Sequence, residues 1–341
     1  MINLLDFKAE ELSEKLAVPK FRGKQVYDWL KKGVTDFDFM HNLPADFRLR
    51  LSERYTAKVF EELGRLESKD GTIKILGKFL DSATVEAVLM KYRYGYSACI
   101  STQVGCRMGC EFCASAKGGF VRHLSVGELL GEVYRMTQIA GEKLSNLVLM
   151  GMGEPLDNYD HVISFLRRVT DEMYYGLSAR SITVSTCGLV EGIKKLASEE
   201  IPVTLALSLH NPFQAEREKI MPIARKYKID DIMSATQYYF EKTGRRITLE
   251  YALIHGENDS TEHAEELIRL IRDRSASAYH VNLIPLNNHE YTEHKSAHQK
   301  DVARFKQKLD QHGINATIRR ELGSDIDAAC GQLKNNWRNY G

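Results

Sequence analysis

Three of the six cysteines, Cys106, Cys110 and Cys113, fall within the run CRMGCEFC. A C-x3-C-x2-C loop gathers thiolates, the donors that hold iron–sulfur clusters, and a four-iron cluster ordinarily takes four of them. Three from one loop leave one iron open, and an open metal position is where a small molecule can bind and be activated. Zinc is the competing reading. Its sites usually pair two C-x2-C knuckles or add closely spaced histidines, whereas Cys187 and Cys330 each stand alone. Three buried cysteines without metal are the remaining alternative. In a reducing compartment, clustered cysteines mean metal or redox chemistry rather than a disulfide framework.

Other candidate residues fall at the ends of predicted strands: Gly153 and Glu154 in GMGEP, then Ser185, then Ser208, Leu209 and His210, then Asn287. Glycine lets a backbone approach a ligand closely. Glu154 is suited to accept hydrogen bonds from an ammonium group. Ser185, Ser208 and Asn287 offer neutral donors and acceptors for ribose hydroxyls and a carboxylate. Taken singly each has an ordinary reading: a turn, a strand-end cap, a packed histidine. Their common placement beside the cysteine loop points to a binding site, because parallel α/β folds gather ligands at the carboxyl ends of their strands.

Four further residues are ambiguous by spacing. Cys330 lies in DIDAACGQ, where small neighbours and Gly331 suggest a mobile, accessible thiol, with an idle tail cysteine as the alternative. Cys99 and Cys187 read as core residues. Glu86 interrupts the apolar run ATVEAVLM; strict alternation puts it on a polar face, and a buried base is the other reading.

The elements that must position these residues begin with helices over 8–16, 23–32 and 45–54, punctuated by Pro19, Gly33 and Pro44. A hairpin follows over 72–79 and 83–90. From residue 98 strands alternate with amphipathic helices: strands over 98–102, 146–150, 181–185, 203–208, 247–253, 280–284 and 316–319, and helices over 126–140, 161–173, 261–274 and 300–312. Ser125 and Glu128 have capping-box spacing ahead of the first of these helices. Six or more βα units in a row imply an α/β fold with parallel strands, as an open sheet or a full or partial barrel. The expected division is a helical accessory domain over 1–60, a hairpin connector over 61–97 and a catalytic domain over 98–341.

Net charge is +1, so any polyanion contact must be local. The stretch KFRGKQVYDWLKK sets Lys20, Arg22, Lys24, Lys31 and Lys32 against Asp28 alone, a candidate RNA face or simply a solvated helix face. No run of about 18 apolar residues suits a membrane span, and the acidic, amphipathic start lacks the layout of a secretion signal. The expected location is the cytoplasm.

Several segments together resemble one family: 99–106 (CISTQVGC) with the cysteine loop, 150–155 (MGMGEP), SLH at 208–210, NLIP at 282–285 and DIDAACGQL at 325–333. FRGKQ at 21–25 and residues 37–43 resemble its amino-terminal domain. This is the RlmN type of radical S-adenosylmethionine methyltransferase, acting on adenine carbon 2 in 23S rRNA and tRNA. The resemblance implies a partial (βα)6 barrel behind a small helical domain, a 4Fe–4S cluster on Cys106, Cys110 and Cys113, and S-adenosylmethionine contacts from Gly153, Glu154, Ser185, Ser208, Leu209, His210 and Asn287. It further implies that Cys330 carries a methyl group, that Cys99 resolves the RNA adduct by forming a disulfide with it, and that Glu86 accepts the ring proton. A flavodoxin- or ferredoxin-like electron donor and a monomeric state are expected with it. Close relatives methylate carbon 8 and confer antibiotic resistance; Pro285 and the Val104-Gly105-Cys106 context favour the carbon-2 branch. Asn288, His289 and Glu290 lack a proline common in the family at this point.

Overall fold

The protein is seen as a computed structural model that describes residues 1–287 and 292–333, so Asn288, His289 and Glu290 lie outside the described residues. The amino-terminal part carries β1 (Ile2–Asn3), α1 (Ala9–Lys15), α2 (Lys20–Leu30), α3 (Ala45–Arg54) and β2 (Tyr55–Thr56), with β1 and β2 paired in parallel. Helix α2 begins at Lys20 behind Pro19, earlier than its hydropathy suggested. Gly23 therefore sits inside the helix, where it is about 1 kcal/mol less favourable than alanine. The reason is contact: a Cβ there would lie 2.7 Å from the Ser13 backbone nitrogen of α1. This layer is docked on the rest, since Arg168 donates to the carbonyls of Leu5, Asp6 and Phe7 at 2.8–3.2 Å.

Next come β3 (Glu61–Glu67), β4 (Ile73–Lys78), β5 (Thr84–Tyr92) and β6 (Gly95–Cys99), an antiparallel meander. The hairpin of β4 and β5 matches the sequence reading. Strand β3 escaped it because this edge strand is charged and has no fully buried residue, as is common at sheet edges. Alternation misplaced Glu86. Residues 85–89 of β5 are buried on both faces, and Glu86, 1% exposed, pairs with buried Lys74 of β4 at 3.5 Å. The strand expected over 98–102 lies earlier, as β6 ends at Cys99, and the next strand, β7 (Gln103–Gly105), pairs instead with β8 (Phe120–His123) around α4 (Ala114–Lys117).

The remaining chain runs α5 (Val126–Ala140), β9 (Asn146–Leu149), α6 (Tyr159–Thr170), β10 (Ile182–Thr186), α7 (Val190–Leu196) and β11 (Thr204–Ser208). It continues through α8 (Gln214–Ile220), α9 (Ile229–Thr243), β12 (Ile247–Leu253), α10 (Thr261–Arg272), β13 (Tyr279–Pro285), α11 (Gln299–Gln311) and β14 (Ala316–Ile318). Strands β6, β9, β10, β11, β12, β13 and β14 pair in that order, all parallel, giving six βα units and a final strand. The sheet runs on through β5 and β4 to β3, so β14 and β3 are its two edges: a partial (βα)6 barrel. Helix α5 opens with the expected reciprocal cap, Glu128 N donating to Ser125 Oγ and Ser125 N to Glu128 Oε2. No helix of the described residues is long and apolar enough to cross a membrane.

Candidate active site

Two cavities lie side by side at the carboxyl ends of the parallel strands. The larger, about 160 Å³, has the sulfur-bearing loop of Cys106, Cys110 and Cys113 on one side. Opposite are Gly153 and Glu154 after β9, Ser185 of β10, Ser208 and His210 at β11, and Asn287 after β13. The cysteine triad and the cofactor contacts expected from the sequence are thus brought together in one place with a single exception. Leu209 is fully buried behind the wall, its amide donating to Glu250 O and its carbonyl accepting from Arg217 Nε.

Each strand end is shaped by its residue. Gly153 has φ +101°, and a Cβ there would come within 2.6 Å of the Gln103 side chain, so glycine is required. The Glu154 carboxylate accepts from the amides of Cys187 (2.8 Å) and Leu156 (3.0 Å). The hydroxyls of Ser185 and Ser208 stand 3.5 Å apart. His210 Nδ1 accepts from Ala252 N at 3.0 Å, which puts the ring proton on Nε2. Burial pushes its pKa down to about 3, so the imidazole stays neutral.

The thiol loop fits an iron–sulfur cluster. Burial pushes the Cys106 thiol up to about 12 and raises Cys110 and Cys113 as well, so these sulfurs ionise only against strong positive charge such as metal ions provide. Met108, Phe112, Ile220, Met221 and Leu286 form an apolar cluster around the three cysteines. Beside it lies Arg217, fully buried and bonded to the carbonyls of Cys187, Ser208 and Leu209. Its Nη1 has no hydrogen-bond partner among the described residues. A buried cation without a carboxylate is costly, and a thiolate-bound cluster is the anion that would offset it.

The second cavity, about 40 Å³, holds Cys99, Val88, Met90 and Tyr92. It shares Met150, Ile284, Asn287, Arg319 and Cys330 with the first. Cys330 therefore stands in a common wall, facing the cysteine triad on one side and Cys99 on the other. All six cysteines are free thiols. Burial pushes Cys99 well up, and nearby Cys330 adds to it. Glu86 lines neither cavity, although it shares the face of β5 with Val88 and Met90.

The open, mobile tail expected around Cys330 is instead a clamped segment. On one side Gly323 N donates to Asp70, and Lys74 Nζ donates to Asp327 O at 3.0 Å. On the other, Ala114 N of α4 donates to Gly331 O at 2.7 Å and Ser115 Oγ to Leu333 O at 2.7 Å. Asn287 Nδ2 holds the Cys330 carbonyl at 3.0 Å. Sequence reasoning also missed Tyr92, Met150, Arg217, Glu250 and Arg319. For Glu250 a signal existed, an acid inside the apolar strand ITLEYAL; it is buried and faces Arg319 at 3.5 Å.

A three-cysteine loop at the mouth of a partial (βα)6 barrel defines a radical S-adenosylmethionine enzyme, and residues 100–271 match the radical SAM superfamily. Residues 2–57 match the ribosomal RNA large subunit methyltransferase N-terminal domain. The protein named "Probable dual-specificity RNA methyltransferase RlmN" of Lachnoclostridium phytofermentans is 48% identical over 98% of this chain and 95% of its own. One of the same name from Clostridium perfringens is 48% identical over 99% of this chain and 98% of its own. A radical SAM methyltransferase from Sphaerobacter thermophilus superposes with a TM-score of 0.93 at 41% identity, covering 98% of this chain and 99% of that one. The FeFe-hydrogenase maturase HydG of Carboxydothermus hydrogenoformans, at 16% identity and a TM-score of 0.51 over 66% of this chain and 54% of its own, shares the fold alone. The chain belongs to the RlmN family of radical SAM methyltransferases, whose cofactors are a 4Fe–4S cluster and S-adenosylmethionine.

Proposed function

We propose that the protein methylates carbon 2 of an adenosine in 23S rRNA, in the peptidyl-transferase loop, and of the adenosine 3′ of the anticodon in tRNA. Carbon 2 lies between two electron-withdrawing ring nitrogens and is not a nucleophile, so it cannot attack a sulfonium methyl directly. The enzyme must deliver carbon in a form that adds to an electron-poor centre. Cys106, Cys110 and Cys113 would hold the cluster, which when bound supplies the electron that cleaves S-adenosylmethionine to a 5′-deoxyadenosyl radical.

The remaining work falls to the chain's own residues. Gly153, Glu154, Ser185, Ser208, His210 and Asn287 would bind and orient S-adenosylmethionine, with Leu209 setting the backbone from behind. Cys330 would carry the one-carbon group, Cys99 would release the product by attacking the Cys330 sulfur, and Glu86 would accept the ring proton. Glu86 reaches that role from an ion pair, with Lys74 3.5 Å away. The single observation that carries this reading is the position of Cys330 in the wall between the cysteine triad and Cys99. A thiol so placed can meet S-adenosylmethionine on one side and a base on the other.

Residues 1–60 would be an RNA-contacting accessory domain, 61–97 a connector and 98–341 the catalytic domain. The partners would be 23S rRNA, tRNA and a flavodoxin- or ferredoxin-like donor, met by a monomer in the cytoplasm. The test is mass spectrometry of nucleosides from RNA treated with anaerobically reconstituted enzyme, S-adenosylmethionine and reductant. The expected product is 2-methyladenosine; 8-methyladenosine, or unmodified RNA with active cluster, overturns the assignment.

A further inference from the structure

The row of side chains that lines the smaller cavity does not stop at its rim. On β5, Glu86, Val88, Met90 and Tyr92 alternate onto one face, and Val88, Met90 and Tyr92 line the cavity with Cys99 and Cys330. Tyr92 pairs with Gly95 across a two-residue turn made of Arg93 and Tyr94. Tyr94 extends the row by one more step. Its ring stacks on Tyr92 with centroids 5.0 Å apart and planes 6° from parallel, while 62% of the residue remains exposed.

The stack is held in place by the turn. Ser145 Oγ donates to the Tyr94 carbonyl at 2.9 Å. Gly95 has φ +119°, and a Cβ there would lie 2.1 Å from the same Ser145 oxygen, so only glycine lets the two approach. A single exposed aromatic ring needs no explanation. A parallel pair, whose inner member lines a cavity holding two thiols and whose outer member faces solvent, has the form of a stacking platform. Positive charge accompanies it: Arg320, exposed, lines the same cavity, with Arg319 beside it. Flat rings next to guanidinium groups suit an unpaired nucleobase and its phosphate.

We propose that Tyr94, stacked on Tyr92, is the platform for an unpaired base of the RNA strand next to the target adenosine, with Arg320 meeting its phosphate. This rests on the reading of the site as an RNA adenine methyltransferase. It adds a route: the base adjoining the target stacks on Tyr94 while the target enters past Tyr92.

The experiment uses reconstituted full-length enzyme and anticodon stem–loop RNAs carrying 2-aminopurine at either neighbour of the target adenosine. Stacking quenches this base, so wild type should quench one of the two probes. Tyr94→Ala should abolish that quench and weaken RNA binding by about tenfold, as loss of one base–aromatic stack does. Tyr94→Trp should restore both, and Arg320→Gln should weaken binding and lower its salt dependence by about one phosphate contact. Thermal melts and iron content check folding; Tyr94 is exposed, so the variants should match wild type in both. Quenching and affinity equal to wild type in Tyr94→Ala, or no recovery in Tyr94→Trp, overturn the proposal. Methylation of unlabelled stem–loop by wild type separates the two readings. If wild type methylates it while Tyr94→Ala binds normally, only the platform falls; if it makes no methyladenosine, the functional reading falls.

Discussion

The two cavities share a wall and little else. The larger is lined by three sulfurs and by polar groups from five strand ends, and it is rigid by construction: Gly153 fits only as glycine, His210 is held neutral, and Glu154 is bound to two amides. The smaller is a narrow slot with an apolar row along β5, one buried thiol, and a rim of arginine and tyrosine. Under the proposed function the first would hold the cofactor and the second would face the RNA. The difference teaches how the proposed chemistry would be divided: radical generation would be kept apart from the nucleic acid, with Cys330 the thiol that lines both cavities.

The largest effect should come from removing the first cavity's sulfurs. Cys106→Ala, Cys110→Ala or Cys113→Ala should each abolish iron binding and all S-adenosylmethionine cleavage, read by iron analysis and by 5′-deoxyadenosine release. Near-normal values in any of them would mean the triad does not hold the cluster.

The shared wall offers the sharpest contrast. On the proposed mechanism Cys330→Ala removes the carrier, so no RNA-linked species should form. Cys99→Ala leaves carrier and cofactor in place but removes the resolving thiol, so a protein–RNA crosslink through Cys330 should accumulate as a slow band on a denaturing gel. The band should vanish in the double variant and in any triad variant. Normal turnover of Cys99→Ala without a crosslink would make the second cavity a mere void.

A smaller effect is expected far from both cavities. Lys24 is exposed on α2 and Lys31 follows it, paired at 3.3 Å with Asp28. Reversing both to Glu should lower RNA affinity by roughly tenfold and flatten its salt dependence, with iron content unchanged. Unchanged affinity would leave them as a solvated face.

The smallest effect lies behind the wall, where Glu132 accepts from Ser101 N at 3.1 Å and Ser101 Oγ bridges to Glu86 O and Met152 N. Burial raises the Glu132 pKa well above the carboxylic range. A raised folded-state pKa gives stability that is complete below the unfolded value, near 4.5, and is lost as pH rises toward the folded one. Glu132→Gln should therefore lose less stability than wild type between pH 5 and 8, by about 1.4 kcal/mol for every tenfold by which folding tightens the carboxyl's hold on its proton. Denaturant melts at both values check it; parallel pH profiles would show that Glu132 is ionised in the fold.

Much of this was legible in the residue pattern. Cysteine spacing pointed to an iron–sulfur loop, because ligand number and reach are local properties. Strand-and-helix alternation declared the parallel sheet, and six of the seven residues expected at its strand ends line one cavity. Leu209 alone of the seven stands outside the cavity lining, because strand-end position does not say which way a side chain faces. Glu86 was misjudged because alternation assumes one wet face, and β5 is covered on both. Only the tertiary structure could bring Cys330 against Cys99 across 231 positions of chain, clamp a tail of small residues into a wall, and bury Arg217 beside the sulfurs. The physical reason is that these are long-range contacts between segments with no local periodicity, set by which surfaces the curved sheet leaves facing each other.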